Sequence, residues 1–263
     1  MFYFIEYLRA IATALIANSH FKGVYPNDIL SFGGGYGLAL FYMISGFLLA
    51  SIHRETRFFK WYLPKIVRLY IPLFIVKVLG ILVGTTKIDS LGSIIRNFVF
   101  PGTWFGASMV ILYPVYFCLV KYWFTEKGFR RPAIVIGLSA ACYCVLFFSR
   151  AGIATFSLET LAIESPFSIE TPYLIALFVW LVCMMVGYLV RKADSIRVHR
   201  PVWIAGVVVS VAAFLLIKLM TRNGGHTAMQ FFLGVVYVGF ALSLFMIFQG
   251  LEQWCQGFWR CLW

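Results

Sequence analysis

Charged residues are scarce in this sequence, at 12% of 263 residues against about 25% in ordinary soluble domains. Apolar residues are correspondingly abundant, at 62% of the chain. A soluble fold of this length cannot bury that much apolar surface. The scarcity of charge therefore excludes a soluble enzyme or a soluble binding module, and it indicates lipid as the surrounding solvent.

Acidic residues are scarcer still, with ten Asp and Glu against 22 Lys and Arg and a formal net charge of +12. A basic chain often binds phosphate backbones. Here, however, the basic residues crowd into alternate loops, and no basic face interleaved with aromatic residues marks a soluble module. This placement excludes nucleic acid as the expected partner and favours the lipid bilayer.

The six cysteines lack the spacing of a disulfide framework or of a metal site. Four fall inside apolar blocks and two lie in the C-terminal tail (Cys118, Cys142, Cys144, Cys183, Cys255 and Cys261). We interpret them as small packing residues and expect no bound metal ion. We also expect no cleavable signal peptide, because the first apolar block carries Glu6 and Arg9 near its start and lacks a small-residue cleavage site.

Eight apolar blocks have roughly the length that crosses about 30 Å of hydrocarbon as a helix. They cover residues 3–20, 35–52, 66–84, 104–122, 133–149, 172–190, 202–220 and 229–249. The predicted fold class is therefore all-α, a polytopic transmembrane helix bundle of about eight transmembrane helices. No internal repeat or soluble domain interrupts the pattern, so residues 1–263 are predicted to form a single membrane domain.

Basic residues mark one side of this bundle. The connections at 53–65, 121–131 and 191–200 are strongly basic, whereas the loop 150–171 carries three glutamates and one arginine. The positive-inside rule places basic loops in the cytoplasm, and an even number of spans places both termini there as well. We therefore expect an integral protein of a bacterial plasma (inner) membrane with both termini cytoplasmic.

Two short segments predict how individual spans begin. Residues 53–64 mix cationic and aromatic side chains, so this segment is expected to lie in the headgroup region before Pro64 starts the third span. The glycines from Gly33 to Gly35 lack the strand and helix context of a phosphate-binding loop. We interpret them as residues of close packing or of a bend before the second span.

The first span carries ionisable and polar side chains at helical spacing: Glu6, Arg9, Thr13 and His20. At 100° per residue, Arg9 and His20 differ by only about 20° around the axis and by about 16 Å along it. One interpretation is a polar track along a pore, since ionisable groups in lipid are costly. The other is that Arg9 reaches the headgroups beside Glu6 and that His20 caps the outer helix end.

The same segment resembles the first helix of the acyltransferase 3 family of membrane acyltransferases. In the sequence IEYLRAIATALIANSH, Arg9 and His20 match the family's motif of an arginine, ten residues and a histidine. Residues 33–49, GGGYGLALFYMISGFLL, resemble its second helix, with Ser-Gly-Phe-Leu from Ser45 to Leu48.

The resemblance continues in two later segments. Lys65 and Arg68 in PKIVRLYIP match the basic pair that opens the third helix of the family, although its first member is usually arginine. Lysine keeps the charge there but loses the planar two-pronged donor. Trp104 and Phe105 in PGTWF resemble the Trp-Phe that opens the fourth helix. These motifs cover residues 5–110, and beyond them only the hydropathy is similar.

The resemblance implies an enzyme that transfers groups other than amino-acyl groups. It would be an O-acyltransferase that moves an acyl group, expected to be acetyl, from cytosolic acyl-CoA to a carbohydrate hydroxyl of a surface or exported glycan. His20 would act as base or transient acyl carrier, because histidine titrates nearest to neutral pH. Arg9, Lys65 and Arg68 would hold the CoA phosphates. Acyl-CoA is then a co-substrate, and no permanently bound cofactor is expected.

Several of these residues have a second interpretation. Lys65 and Arg68 also fit the basic residues found at most cytoplasmic helix ends. Trp104 either stacks on a sugar acceptor or belongs to an interfacial aromatic belt. Ser45 is a candidate substrate-binding hydroxyl, but with Gly46 it also fits a small-residue helix contact.

The C-terminal region departs from the family. Family members are usually longer, with a late Ser-Tyr, Tyr-Leu and His pattern, whereas this chain stops after GLEQWCQGFWRCLW. We therefore expect a C-terminally truncated member, and an inactive remnant is one alternative function. The other is a secondary transporter or flippase-like protein whose polar track carries a solute, which inverted repeats would indicate.

Overall fold

The computed structural model describes residues 2–21, 24–25, 30–52, 55–84, 104–124, 128–153, 171–193, 200–221 and 227–262. Within these ranges all regular structure is helical and no strand is present, so the all-α prediction is confirmed. The three glutamates of the predicted outer loop lie outside the described residues, as do Arg54, Lys127 and Arg197 of the basic loops.

Eight long helices follow one another in the described part of the chain, one at each predicted span. They are α1 (Tyr3–Ser19), α2 (Gly34–Leu49), α3 (Phe58–Leu82), α4 (Trp104–Cys118), α5 (Arg130–Ile153), α6 (Thr171–Lys192), α7 (Arg200–Thr221) and α8 (Thr227–Leu262). A π-helical turn, Leu119–Trp123, continues α4. The match arises because the apolar block length that a bilayer requires also sets the helix length.

Three described helices are long and apolar enough to cross a membrane, in the segments Arg130–Phe147, Arg200–Met220 and Phe232–Glu252. Two shorter apolar helices are Gly34–Leu49 and Ser108–Trp123. Helix α1 has 17 residues, which is about 25 Å of rise and short of the hydrocarbon thickness. Helix α3 carries four cations along its length. The described residues therefore contain three candidate membrane-spanning segments, and the count of eight stays a prediction.

The start of α3 differs from the prediction. The helix begins at Phe58 and not at Pro64, and both Pro64 and Pro72 lie inside it. The two turns before Pro64 pack against α4, with ring centroids 5.2 Å apart for Phe58 and Phe117 and 4.9 Å apart for Trp61 and Phe117. This packing stabilises helix where the proline alone suggested a boundary. The aromatic residues assigned to a separate interfacial segment thus belong to α3.

The chain divides into two compact units. The first contains Met1–Ala50, Phe129–Phe156 and Phe178–Trp263, and the second contains Ser51–Gly128 and Ser157–Leu177. The prediction of one membrane domain stays a prediction.

The first unit is organised around α8, which packs against α1, α2, α5 and α7. Aromatic side chains fill its interior. Phe245 of α8 lies 5.2 Å from the ring of Phe4 and 5.0 Å from that of Phe47, and Tyr36 lies 4.2 Å from Phe240. These contacts fix α1 and α2 against the same helix and so position the polar side of α1.

Helices α2 and α6 approach closely at two glycines. A side chain on Gly46 would overlap the backbone carbonyl of Met184, and one on Gly187 would overlap the carbonyl of Met43. Small residues at such positions let helix backbones approach in membranes. The interpretation of Gly46 as a small-residue helix contact is confirmed.

At one end of the first unit, the N-terminus contacts two later helices, α6 and α8. The Glu252 carboxylate of α8 accepts hydrogen bonds from the backbone N–H groups of Tyr3 (3.3 Å) and Phe4 (3.2 Å), and thereby caps α1. The Arg191 guanidinium at the end of α6 lies 4.5 Å from the ring centroid of Phe2. The start of α1 and the start of the basic 191–200 connection therefore share an end, as the charge pattern predicts.

The second unit is built on α3 and α4, which run antiparallel. The Tyr62 hydroxyl donates to the Val110 carbonyl at 3.1 Å, and the Lys121 ammonium donates to the Thr56 carbonyl at 2.8 Å. The connection before α3 and the turn after α4 therefore also share an end, as predicted for the basic segments 53–65 and 121–131.

Candidate functional site

The polar face predicted for α1 is present on the side of the helix that does not pack into the first unit. Phe4, Ile5, Leu8 and Ala12 are buried, whereas Glu6, Thr13 and His20 are exposed and Arg9 is partly exposed. Helical periodicity alone separates the two sets. The shared face of Arg9 and His20 is therefore confirmed.

Arg9 forms an ion pair on this face. Its Nη1 donates to the Glu6 Oε1 at 2.9 Å, one helical turn towards the N-terminus, and the Thr13 hydroxyl donates to the Arg9 carbonyl at 2.9 Å. A guanidinium has five N–H donors in a planar fork. The ion pair occupies part of the fork, so Arg9 retains capacity for a second anionic group.

His20 lies directly after the last residue of α1. Its backbone N–H donates to the Ala17 carbonyl at 3.0 Å, and its side chain is exposed. This is the helix-end position that the second interpretation of the sequence expected. An exposed imidazole at a helix end is also open to a substrate, so the position itself is consistent with both interpretations.

Asn18, which is not among the predicted site residues, fixes the connection beside His20. Its side-chain amide donates to the carbonyls of Leu30 and Phe32, both at 2.8 Å, and its carbonyl accepts from the Tyr25 hydroxyl at 2.6 Å. Asparagine near a helix C-terminus is a known turn signal, and that signal could have found it. The chain on either side of the His20 position is thereby tied together.

The glycines before α2 serve both of the expected purposes. Gly33 takes a φ of 116°, which favours glycine, and forms the N-cap of α2 against Leu15. A side chain on Gly35 would overlap the Tyr237 ring. The interpretation as a bend with close packing is confirmed.

The predicted cation pair lies on one side of α3 in the second unit. The Lys65 ammonium lies 4.5 Å from the ring centroid of Trp61 and donates to the Trp61 carbonyl at 3.3 Å. Lys65 lies just before the predicted span at 66–84, and burial together with the positive charge of Arg68 lowers its pKa. Arg68 itself is exposed. The two cations are therefore close enough to act on the same ligand.

Lys121 is a further cation of the second unit, in a place that the sequence did not indicate. It is predicted to lie in a basic loop, but it lies on the π-helical turn after α4 and is half-buried. Its ammonium lies 5.3 Å from the ring centroid of Phe117. Phe117 in turn packs on Trp61, the ring beneath Lys65.

Two other predicted substrate residues are placed by the backbone. Ser45 is half-buried on α2 beside Gly46, and Trp104 is the first residue of α4. The side chain of Trp104 lies outside the described part of the structure. The candidate residues divide between the units, with Arg9, His20 and Ser45 in the first and Lys65, Arg68 and Trp104 in the second.

No group of three or more His, Cys, Asp or Glu side chains that could hold a metal ion occurs among the described residues. Cys118, Cys142, Cys144 and Cys183 are free thiols.

Comparison with known proteins shows the family of the chain. No curated protein and no solved structure matches the sequence. A family profile described as an acyltransferase domain matches residues 2–261, which is far more than the motifs of residues 5–110 cover. The apolar helices and this match make the chain an integral membrane protein. It belongs to the acyltransferase 3 family of membrane acyltransferases.

Proposed function

We propose that the protein is a membrane-embedded O-acyltransferase that moves an acyl group, expected to be acetyl, from cytosolic acyl-CoA to a carbohydrate hydroxyl of a surface or exported glycan. Family membership supports acyl transfer in general. The polar face of α1, with Arg9 and His20 on it, is the single observation that carries the assignment of a site.

That face is costly in a membrane unless it lines a wet or protein-covered space. A charged side chain at a helix centre costs at least roughly 2.5–3.5 kcal/mol in lipid. Glu6, Arg9, Thr13 and His20 lie along one side of α1, away from its buried side. An exposed ion pair aligned with a histidine is best explained as the wall of a water-accessible passage.

His20 is proposed as the general base of the reaction. Its imidazole takes the proton of the acceptor hydroxyl while that oxygen attacks the thioester carbonyl carbon. The new C–O bond forms, the C–S bond breaks, and the CoA thiolate leaves with a proton returned from the imidazolium. If one passage holds the imidazole and the thioester carbonyl in fixed positions, the reacting groups are close enough for this step.

Arg9, Lys65 and Arg68 are proposed to bind the phosphates of the CoA moiety. Cations next to phosphate oxygens form short, charge-assisted hydrogen bonds, and a guanidinium does so with two prongs. Trp104 is proposed to stack on the sugar acceptor and Ser45 to contact the substrate, because aromatic faces and hydroxyl groups suit a carbohydrate.

The orientation follows from the placement of charge. Arg191 and Lys121 lie where basic connections begin, and Lys65 lies two turns into α3 after such a connection. We place these connections in the cytoplasm of a bacterial inner membrane, with eight spans and both termini cytoplasmic. The cations then meet cytosolic acyl-CoA, and His20, about 16 Å further along α1 than Arg9, lies towards the outer face.

The direct test is acetylation of surface glycan by cells that express the wild-type chain, His20→Ala or His53→Ala. Loss of a general base lowers the rate by about 10²–10⁴-fold, so His20→Ala should abolish the measured acetate release. His53, a histidine of a basic connection in the sequence, is the matched control and should leave the signal unchanged. Equal acetylation by wild type and His20→Ala would remove His20 from the mechanism.

A second measurement isolates the donor. The purified chain should bind acetyl-CoA, and Arg68→Ala should bind it roughly tenfold to hundredfold more weakly because a charge-assisted contact is lost. Solute uptake that does not depend on CoA, without acetyl-CoA binding, would contradict the proposal and favour a transporter.

A further inference from the structure

The helix that carries Lys121 departs from regular α-helix at this residue. Leu119–Trp123 forms a π-helical turn that closes with the Phe124 N–H donating to the Leu119 carbonyl at 2.9 Å. Single π-helical turns are rare and frequently occur at functional sites. The extra residue changes the direction in which the side chains of the turn project.

The Lys121 side chain is held in place by its neighbours. Its ammonium donates to the Thr56 carbonyl at 2.8 Å and lies 5.3 Å from the ring centroids of both Phe117 and Tyr122. A lysine that merely reaches for the headgroups would extend away from the protein. An ammonium has three N–H donors and Thr56 takes one of them, so two can serve an anion.

Lys65 and Lys121 each lie against one ring of a pair of aromatic side chains that contact each other. Trp61 and Phe117 have ring centroids 4.9 Å apart, with Lys65 at 4.5 Å from the Trp61 centroid and Lys121 at 5.3 Å from the Phe117 centroid. No carboxylate of the described residues forms an ion pair with Lys65, Arg68 or Lys121. Lys65 and Lys121 are thus linked through one pair of aromatic rings, and Arg68 lies one helical turn beyond Lys65. This positively charged part of α3 and α4 is suited to an anionic ligand.

We propose that Lys121 is the third cation that the second unit contributes to the donor site, after Lys65 and Arg68, and that it binds a phosphate group of the acyl carrier on the Phe117 side of the Trp61–Phe117 pair. The inference rests on the proposed function, in which Lys65 and Arg68 bind other phosphates of the same carrier. Three cations suit a carrier that bears several phosphates, and the fixed position of Lys121 lowers the entropy lost on binding.

A membrane lipid headgroup offers the same phosphate chemistry, and the experiment separates the two sources. The dissociation constant of acetyl-CoA is measured for wild type, Lys121→Gln and Lys121→Arg in neutral detergent, with and without added anionic phospholipid. Lys60→Gln is the matched control, since Lys60 is an exposed lysine of α3 about 140° around the helix from Lys65. S-acetylpantetheine, which has no phosphate, is the second ligand.

Lys121→Gln should bind acetyl-CoA roughly tenfold to hundredfold more weakly than wild type, as expected for one charge-assisted contact. Lys121→Arg should retain most of the affinity, Lys60→Gln should match wild type, and S-acetylpantetheine should bind wild type and Lys121→Gln equally. If Lys121→Gln fails to fold, the affinities of wild type and Lys121→Arg for the two ligands can still be compared.

Two results with the acyl-carrier ligands would overturn the inference while leaving the proposed function intact. One is wild-type affinity of Lys121→Gln for acetyl-CoA, and the other is an equal loss of affinity for S-acetylpantetheine. An effect of Lys121→Gln on phospholipid binding alone would assign the residue to the headgroups and equally overturn it. Failure of wild type to bind acetyl-CoA at all would instead reject the proposed function, and this inference with it.

Discussion

Replacing Gly46 by alanine tests the close contact between α2 and α6. The added methyl group would overlap the carbonyl of Met184, and the reciprocal position Gly187 faces the carbonyl of Met43 in the same way. Both obstacles are backbone atoms held in helices, which cannot rotate aside as a side chain can. The methyl group must therefore push the two helices apart.

The magnitude follows from two opposed effects. Overpacking costs about 1–3 kcal/mol, and we take the upper end because the obstacle is backbone. The higher helix propensity of alanine stabilises the variant by about 1 kcal/mol relative to glycine. The net loss for Gly46→Ala is therefore about 2 kcal/mol, or a fall in Tm of roughly 4–8 °C for a chain of this size.

Gly137 of α5 provides the matched control, because an added Cβ there meets nothing within 4 Å. Gly137→Ala should gain the propensity term of about 1 kcal/mol without the overlap. The assay is thermal unfolding of both purified variants in the same detergent, followed by loss of the monodisperse fraction. A Tm for Gly46→Ala equal to or above that of Gly137→Ala would refute the packing argument.

Two further predictions concern the candidate site. Asn18→Ala removes the donors to the carbonyls of Leu30 and Phe32. The free energy of unfolding should fall by about 1–3 kcal/mol in all. Unchanged thermal unfolding and unchanged amide exchange in the connection between α1 and α2 would contradict this. The lowered pKa of Lys65 beside Arg68 means that its ammonium loses the proton at a lower pH than a solvated lysine. Acetyl-CoA affinity should therefore fall as the pH rises towards 10.5, the ordinary lysine pKa. Lys65→Arg should hold its affinity because arginine stays charged. Identical pH profiles of the two proteins would count against a phosphate contact at Lys65.

The helix positions and the polar face of α1 could be predicted from the sequence because each depends on local order along the chain. The lengths of the apolar blocks predicted where the helices lie. The polar face was predicted from the helical spacing of its residues, Glu6, Arg9, Thr13 and His20. The glycine contact at Gly46 was foreseen for the same reason, since small residues in apolar helices pack closely.

The remaining features depend on contacts between distant residues. The start of α3 at Phe58 is fixed by packing on Phe117 of another helix, so the local proline rule failed. Lys121 meets Thr56 across 65 positions of sequence. A charge count assigns a lysine to a loop and cannot detect a π-helical turn or a tertiary hydrogen bond, which is why this residue was missed.

The carboxylate of Glu252 contacts the first helix across 249 positions of sequence, and this has a consequence for biosynthesis. The amides of Tyr3 and Phe4 leave the ribosome long before their acceptor exists, so the first helix must enter the bilayer with its leading end uncapped. Capping of α1 therefore waits until α8 has been made, so a segment that is synthesised early is secured late.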